Sequence, residues 1–147
     1  MTTTDWEIAT ATLRITTQLV DGIQEGLAAR GFDDVRPAHG FAFATLSRTP
    51  TNQAGIAAAL NISKQAAAQL VEHLVGAGYV SRRADPADGR SQLLRLTARG
   101  RACTRAAEES AAQVVAGWRD ALSPEAYAGF AAAVRAVAEP GGLRPAW

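Results

Sequence analysis

Two groups of side chains in this sequence have the type and spacing for molecular recognition. Lys64, the only lysine in the chain, is followed by Gln65 and, one helical turn on, by Gln69. A cation and two amides on one helix face can read base edges in a DNA major groove: lysine on guanine or phosphate, glutamine on adenine or through water. The second group is arginine: Arg82, Arg83 and Arg95 in two short β-favourable runs, with Arg90 in the turn between them. Thr51, Asn52 and Ser63 each stand just before a predicted helix, where hydroxyl, amide and backbone N–H groups suit phosphate. The alternative is an ordinary solvated polar face.

Other chemistry finds little support. No Ser-His-Asp set, paired carboxylates or phosphate-cradling glycine loop is legible, so no enzymatic activity and no cofactor are expected. His39 and His73 fall in different predicted helices with no Cys or acidic residue at ligand spacing, so no metal site is expected. Cys103, the single cysteine, is surrounded by Ala102, Ala106 and Ala107 and reads as a packed thiol. One cysteine excludes an intramolecular disulfide and fits a reducing cytoplasm.

The elements around these residues can be read from pattern. Residues 51–100 read as helix, tight turn, helix, then two strands. Asn61 suits the left-handed turn position and Ser63 the following cap. Ala67, Leu70, Val71 and Leu74 repeat at helical spacing and predict a buried stripe, leaving Lys64, Gln65, Gln69 and Glu72 on the opposite face. Tyr79–Arg83 and Gln92–Leu96 predict strands, with Asp85–Arg90 as the turn between them. Asp88 is expected to partner a wing arginine.

The flanks are helical. Residues 5–29 carry Ile8, Ile15, Leu19, Ile23 and Leu27 in one stripe, widened by Trp6, Ala9, Leu13 and Val20, so burial from two sides is expected. A helix over about 37–47 follows Pro37 at its first turn. Thr97 can cap a helix to about Leu122, and Ser123-Pro124-Glu125 opens a last one, about 124–138, expected to bury Tyr127, Phe130, Val134 and Val137. Gly55 interrupts a helix, a feature that close approach of another backbone would explain. Pro140-Gly141-Gly142 ends the last helix, and a mobile tail to Trp147 is expected.

At 147 residues and 48% hydrophobic content, the chain fits one ordered domain. No run reaches membrane-span length and Met1–Asp5 lacks signal-peptide character, so no membrane partner is expected. The net charge of +1 conceals a segregation: residues 48–105 hold nine basic and three acidic residues, the remainder six and eleven. A basic segment coinciding with the polar helix is the electrostatic signature of a polyanion partner.

Residues 51–101 resemble the MarR family of bacterial transcription regulators. The resemblance rests on Ile56-Ala57, Leu60, Ile62-Ser63-Lys64-Gln65, Leu70-Val71, Leu74, Gly78-Tyr79-Val80 and Arg82-Arg83. It continues through Asp85-Pro86-Ala87-Asp88-Gly89-Arg90 and the exit Leu96-Thr97 with Gly100-Arg101. It implies a mainly α fold with a small two-stranded wing: a winged helix-turn-helix over about 37–100, flanked by dimerisation helices over about 5–29 and 97–138, all in one domain. It implies a homodimeric, cytoplasmic regulator, read as a repressor, on double-stranded DNA with a pseudo-palindromic operator. Arg90 then corresponds to the arginine that enters the minor groove. It also implies a small aromatic or phenolic effector, with His39, Phe43 and Trp118 as the lining candidates, each equally readable as core. Gln69 stands where the family often has arginine, and Ala66 and Ala68 shorten the reading surface. A winged helix kept for protein partners is the alternative function.

Overall fold

Helix starts fall where the sequence supplies a cap. The computed structural model, which describes residues 2–143, has six helices and one antiparallel hairpin: α1 (Thr3–Ala29), α2 (Pro37–Arg48), α3 (Gln53–Leu60), α4 (Lys64–Gly76), β1 (Val80–Asp85), β2 (Asp88–Leu96), α5 (Ala98–Asp120) and α6 (Pro124–Val137). Thr2 and Asp5 form a reciprocal capping box on α1. The Thr2 backbone N–H, and after it the hydroxyl, hold the Asp5 carboxyl below its ordinary value. Asn52, Ser63 and Ser123 cap α3, α4 and α6. Asn61 takes the left-handed conformation (φ 54°) that ends α3.

The chain forms two compact units. One comprises the chain to Asp34 with Ala106–Glu139; the other comprises Val35–Arg105 and the segment from Pro140. The expected mobile tail through Trp147 lies mostly beyond the described residues.

The second unit is a winged helix. Its core is built from Phe43 and Leu46 of α2, Ile56 and Leu60 of α3, Val71 and Leu74 of α4, and Tyr79, Val80 and Leu94 of the hairpin, all buried. Cys103 joins them at 0% exposure. The hairpin pairs Val80 with Leu96 and Arg82 with Leu94. Its strands run further than the sequence suggests: only Pro86 and Ala87 remain outside them, and Asp88, Gly89 and Arg90 already belong to β2. A register shift at Ala84/Asp85 brings Asp85 opposite Asp88. The Asp85 and Asp88 carboxylates then accept the N–H groups of Ala87 and Arg90. Asp88 therefore holds the backbone of Arg90 rather than pairing with an arginine side chain.

Gly55 also differs from expectation. The Thr51 side chain, not a second backbone, fills the space a Cβ would need.

In the first unit α1 and α5 pack closely because Gly22 meets Val114 and Gly26 meets Ser110, both pairs one turn apart on each helix. Arg30 secures the crossing by donating to the Ser110 hydroxyl (3.1 Å) while lying 3.6 Å from Glu109. The α6 stripe is less buried than its spacing predicts. Phe130 meets Trp118 edge-on and Tyr127 lies under Arg119, but Val134 is 47% and Val137 81% exposed. On α1, Leu27 is buried, whereas Trp6, Ile8 and Leu13 are exposed. Periodicity marks an apolar face without saying what covers it, and the described residues leave these side chains exposed.

The exit from the wing explains its sequence. The Thr97 hydroxyl donates to the Gly78 carbonyl (2.6 Å) and accepts the Gly100 N–H, while Arg101 reaches the Leu96 carbonyl (2.9 Å). Gly100 lies against the Tyr79 carbonyl, where a Cβ would collide with backbone. Gly100→Ala should therefore cost about 1–3 kcal/mol in urea unfolding through overpacking. Gly76→Ala, in open space on α4, should be neutral or stabilising by about 0.4–1 kcal/mol.

Candidate nucleic-acid interface

The outward face of α4 follows from its buried one. Ala67, Val71 and Leu74 turn inward, so Lys64, Gln65 and Gln69 are exposed together. The Ser63 hydroxyl accepts the Ala66 N–H at 3.0 Å, which fixes where the helix begins and hence which way Lys64 and Gln65 point. Ala66 and Ala68 are half-buried between the polar positions. With no acidic residue in its first turn, the N-terminus of α4 stays positive.

The candidates at the start of α3 are tied to the wing. Thr51 bridges to Leu94, accepting its N–H at 2.8 Å, so the strand pair gains a third, one-residue edge. The Asn52 side chain accepts the Gly55 N–H (2.8 Å) and donates to the Ser91 hydroxyl (3.1 Å). One amide thus caps α3 and tethers β2. Between them, Asn52, Gln53, Arg82, Arg90, Ser91 and Gln92 help to line an open cleft of about 570 Å³ that has no acidic residue in its wall.

The arginines separate by strand parity. Arg82 lies on the face of the hairpin that carries Val80 and Leu94, and Arg83 on the other. Arg82 reaches across to Glu72 of α4, its Nη2 donating to the carboxylate, while its Nε is buried without a hydrogen-bond partner among the described residues. This pair joins the wing base to α4, and residue types alone did not reveal it. Counting alternate residues from the buried Val80 would have divided Arg82 from Arg83. Arg90 is exposed near the hairpin tip, its backbone N–H held by Asp88.

The three effector candidates fall in both units. His39 and Phe43 belong to the winged helix: His39 Nδ1 accepts the Arg36 N–H (2.9 Å), its ring stacks on His73 at 4.7 Å, and Phe43 packs on Tyr79 at 5.4 Å. Trp118 belongs to the other unit, against Phe130. His73, at the last turn of α4, was not expected to meet His39.

The MarR family model matches residues 33–91, the span from the approach to α2 through the wing tip. Over that stretch the chain is similar to the MarR family. Solved structures share its winged helix-turn-helix fold. RV1404 from Mycobacterium tuberculosis superposes with a TM-score of 0.75 at 27% identity, over 93% of this chain and 91% of that one. MarR from E. coli gives 0.72 at 17% identity, over 89% and 96%. A MepR mutant from S. aureus, bound to an oligodeoxyribonucleotide, gives 0.67 at 17% identity, over 92% and 96%. Comparison with curated protein sequences gives no match. No helix among the described residues is long and apolar enough to cross a membrane.

The two jobs of Asn52 can be separated. Asn52→Ala should cost about 1–2 kcal/mol in urea unfolding, by loss of the cap and of the Ser91 bond. Asn52→Asp, which keeps an accepting oxygen for Gly55, should recover most of that loss.

Proposed function

We propose that this chain is a MarR-type regulator, a homodimeric repressor of a pseudo-palindromic operator in double-stranded DNA, its half-sites about one helical turn apart. The reading rests chiefly on one observation: the polar face of α4 lies in the same unit as an acid-free cleft whose wall includes Arg90. Lys64, Gln65 and Gln69 read major-groove edges or phosphate. Arg90 enters the adjacent minor groove, where narrow A·T tracts concentrate negative potential. Thr51, Asn52 and Ser63 offer phosphate contacts at the starts of α3 and α4. Arg82 and Arg83 add positive charge at the wing base.

The exposed apolar residues of the terminal helices support the dimer. Trp6, Ile8, Leu13, Val134 and Val137 form surface that a second copy would cover, and a twofold contact lets each protomer supply the same patch. Such a dimer works inside the cell, where its operator is. His39, Phe43 and Trp118 are each candidate contacts for a small aromatic or phenolic effector, whose binding would release DNA by changing the separation of the two reading heads.

Fluorescence anisotropy on the DNA immediately upstream of the gene tests the reading. Saturable binding that exceeds binding to scrambled DNA is expected, with a steep negative dependence on salt. Arg90→Ala and Lys64→Ala should each weaken it about tenfold, roughly 1.4 kcal/mol. Absence of binding at low salt would transfer the winged helix to the protein-partner reading. Sedimentation tests the dimer separately: Trp6→Glu with Val137→Glu should shift the protein from dimer to monomer, and an unchanged mass would move the interface elsewhere.

A further inference from the structure

The hairpin is basic on both faces, and α4 and the Arg90 cleft account for only one of them. On the second face, Ser81 stands opposite Arg95 and Arg83 opposite Leu93. Arg83 and Arg95 are exposed, and the first turn of α5 adds Arg101, also exposed, with one guanidinium nitrogen on the Leu96 carbonyl. Together they help to enclose a cleft of about 620 Å³ whose wall contains three arginines, Ser81 and Thr97, and no acidic residue. Among the described residues none of the three arginines forms an ion pair. The two acids of the hairpin, Asp85 and Asp88, are engaged at the tip with the Ala87 and Arg90 N–H groups. Three cations around an acid-free cleft repel one another, and an external anion would relieve that repulsion.

Groove geometry indicates which anion. A minor groove is only about 6 Å wide and is walled on each side by a phosphate backbone. A ribbon whose tip enters it therefore meets one backbone with each face. The inner face has the cleft of Arg82 and Arg90. We propose that Arg83, Arg95 and Arg101 form a second phosphate site on the outer face of the wing, holding the backbone strand across the minor groove from the one met by the inner face. This rests on the reading that Arg90 enters that groove. It adds Arg95 and Arg101 to the contact set, and it makes the wing a clamp on two strands rather than a single probe.

The test uses the full-length protein and a duplex of roughly 30 base pairs with a central A·T tract, titrated by anisotropy at several salt concentrations. Each lost phosphate contact reduces the slope of log affinity against log salt by about 0.9, so Arg95→Ala with Arg101→Ala should reduce it by about 2 per protomer, or about 4 for the DNA-bound dimer. Arg95→Lys with Arg101→Lys should keep the wild-type slope. Hydroxyl-radical footprinting should lose protection on one strand beside the minor groove and keep protection around the major groove. If circular dichroism shows that the double alanine variant has lost its fold, Arg95→Gln alone should still reduce the slope by about 1 per protomer, or about 2 for the dimer. An unchanged slope and footprint in these variants, with Arg90→Ala still weakening binding, would overturn the outer site and leave the Arg90 reading standing. Wild-type protein that fails to bind the duplex at low salt would overturn both.

Discussion

Tyr79 is the joint on which the winged helix depends. It is fully buried, and every polar group it carries is engaged. Its N–H donates to the Leu74 carbonyl at the end of α4, and its carbonyl accepts the Thr97 N–H at the start of α5. Its hydroxyl accepts from Arg99 at 3.0 Å, the same guanidinium lying 4.6 Å from the ring centre, and Phe43 of α2 packs on it at 5.4 Å. One residue thus ties the recognition helix, the hairpin and the exit helix together. Gly100 follows from it, because only a residue without Cβ lets α5 approach the Tyr79 carbonyl so closely.

The polar side chains of the interface divide into those that hold the frame and those that are presented by it. Asn52, Thr51 and Ser63 fix the starts of two helices and the lean of the hairpin, and Arg82 with Glu72 fixes the wing base against α4. Lys64, Gln65, Gln69 and Arg90 are left outward by that frame. An exposed ion pair such as Arg82–Glu72 contributes at most about 1 kcal/mol to stability, so its weight lies in position rather than energy. Glu72 also removes positive charge from the inner face, while the outer face keeps all of its own.

The terminal helices follow a different logic. Gly22 and Gly26 on α1, opposite Val114 and Ser110 on α5, let two backbones approach at positions where larger residues would keep them apart. That contact consumes only part of the apolar surface. The beginning of α1 and the end of α6 remain uncovered, which is why helical periodicity overstated the burial of Val134 and Val137.

Local chemistry was legible without a structure. Caps at Ser63 and Ser123, the left-handed Asn61, the α4 stripe and the order of helices and strands depend on residues within a turn of one another, and short-range sterics and hydrogen bonding decide them. The resemblance to the MarR family is legible for the same reason, since it rests on a run of such local signals ending in Thr97, Gly100 and Arg101. What the sequence could not settle depends on contacts between distant segments. The pairing of Arg82 with Glu72, the stacking of His39 on His73 and the tether from Asn52 to Ser91 join residues that 10, 34 and 39 positions separate. Alternation from Val80 separates Arg82 from Arg83, but placing Arg95 on the face of Arg83 needed the strand register that sets Ser81 opposite Arg95. Tertiary packing decides these, because it alone brings together groups that the chain holds apart.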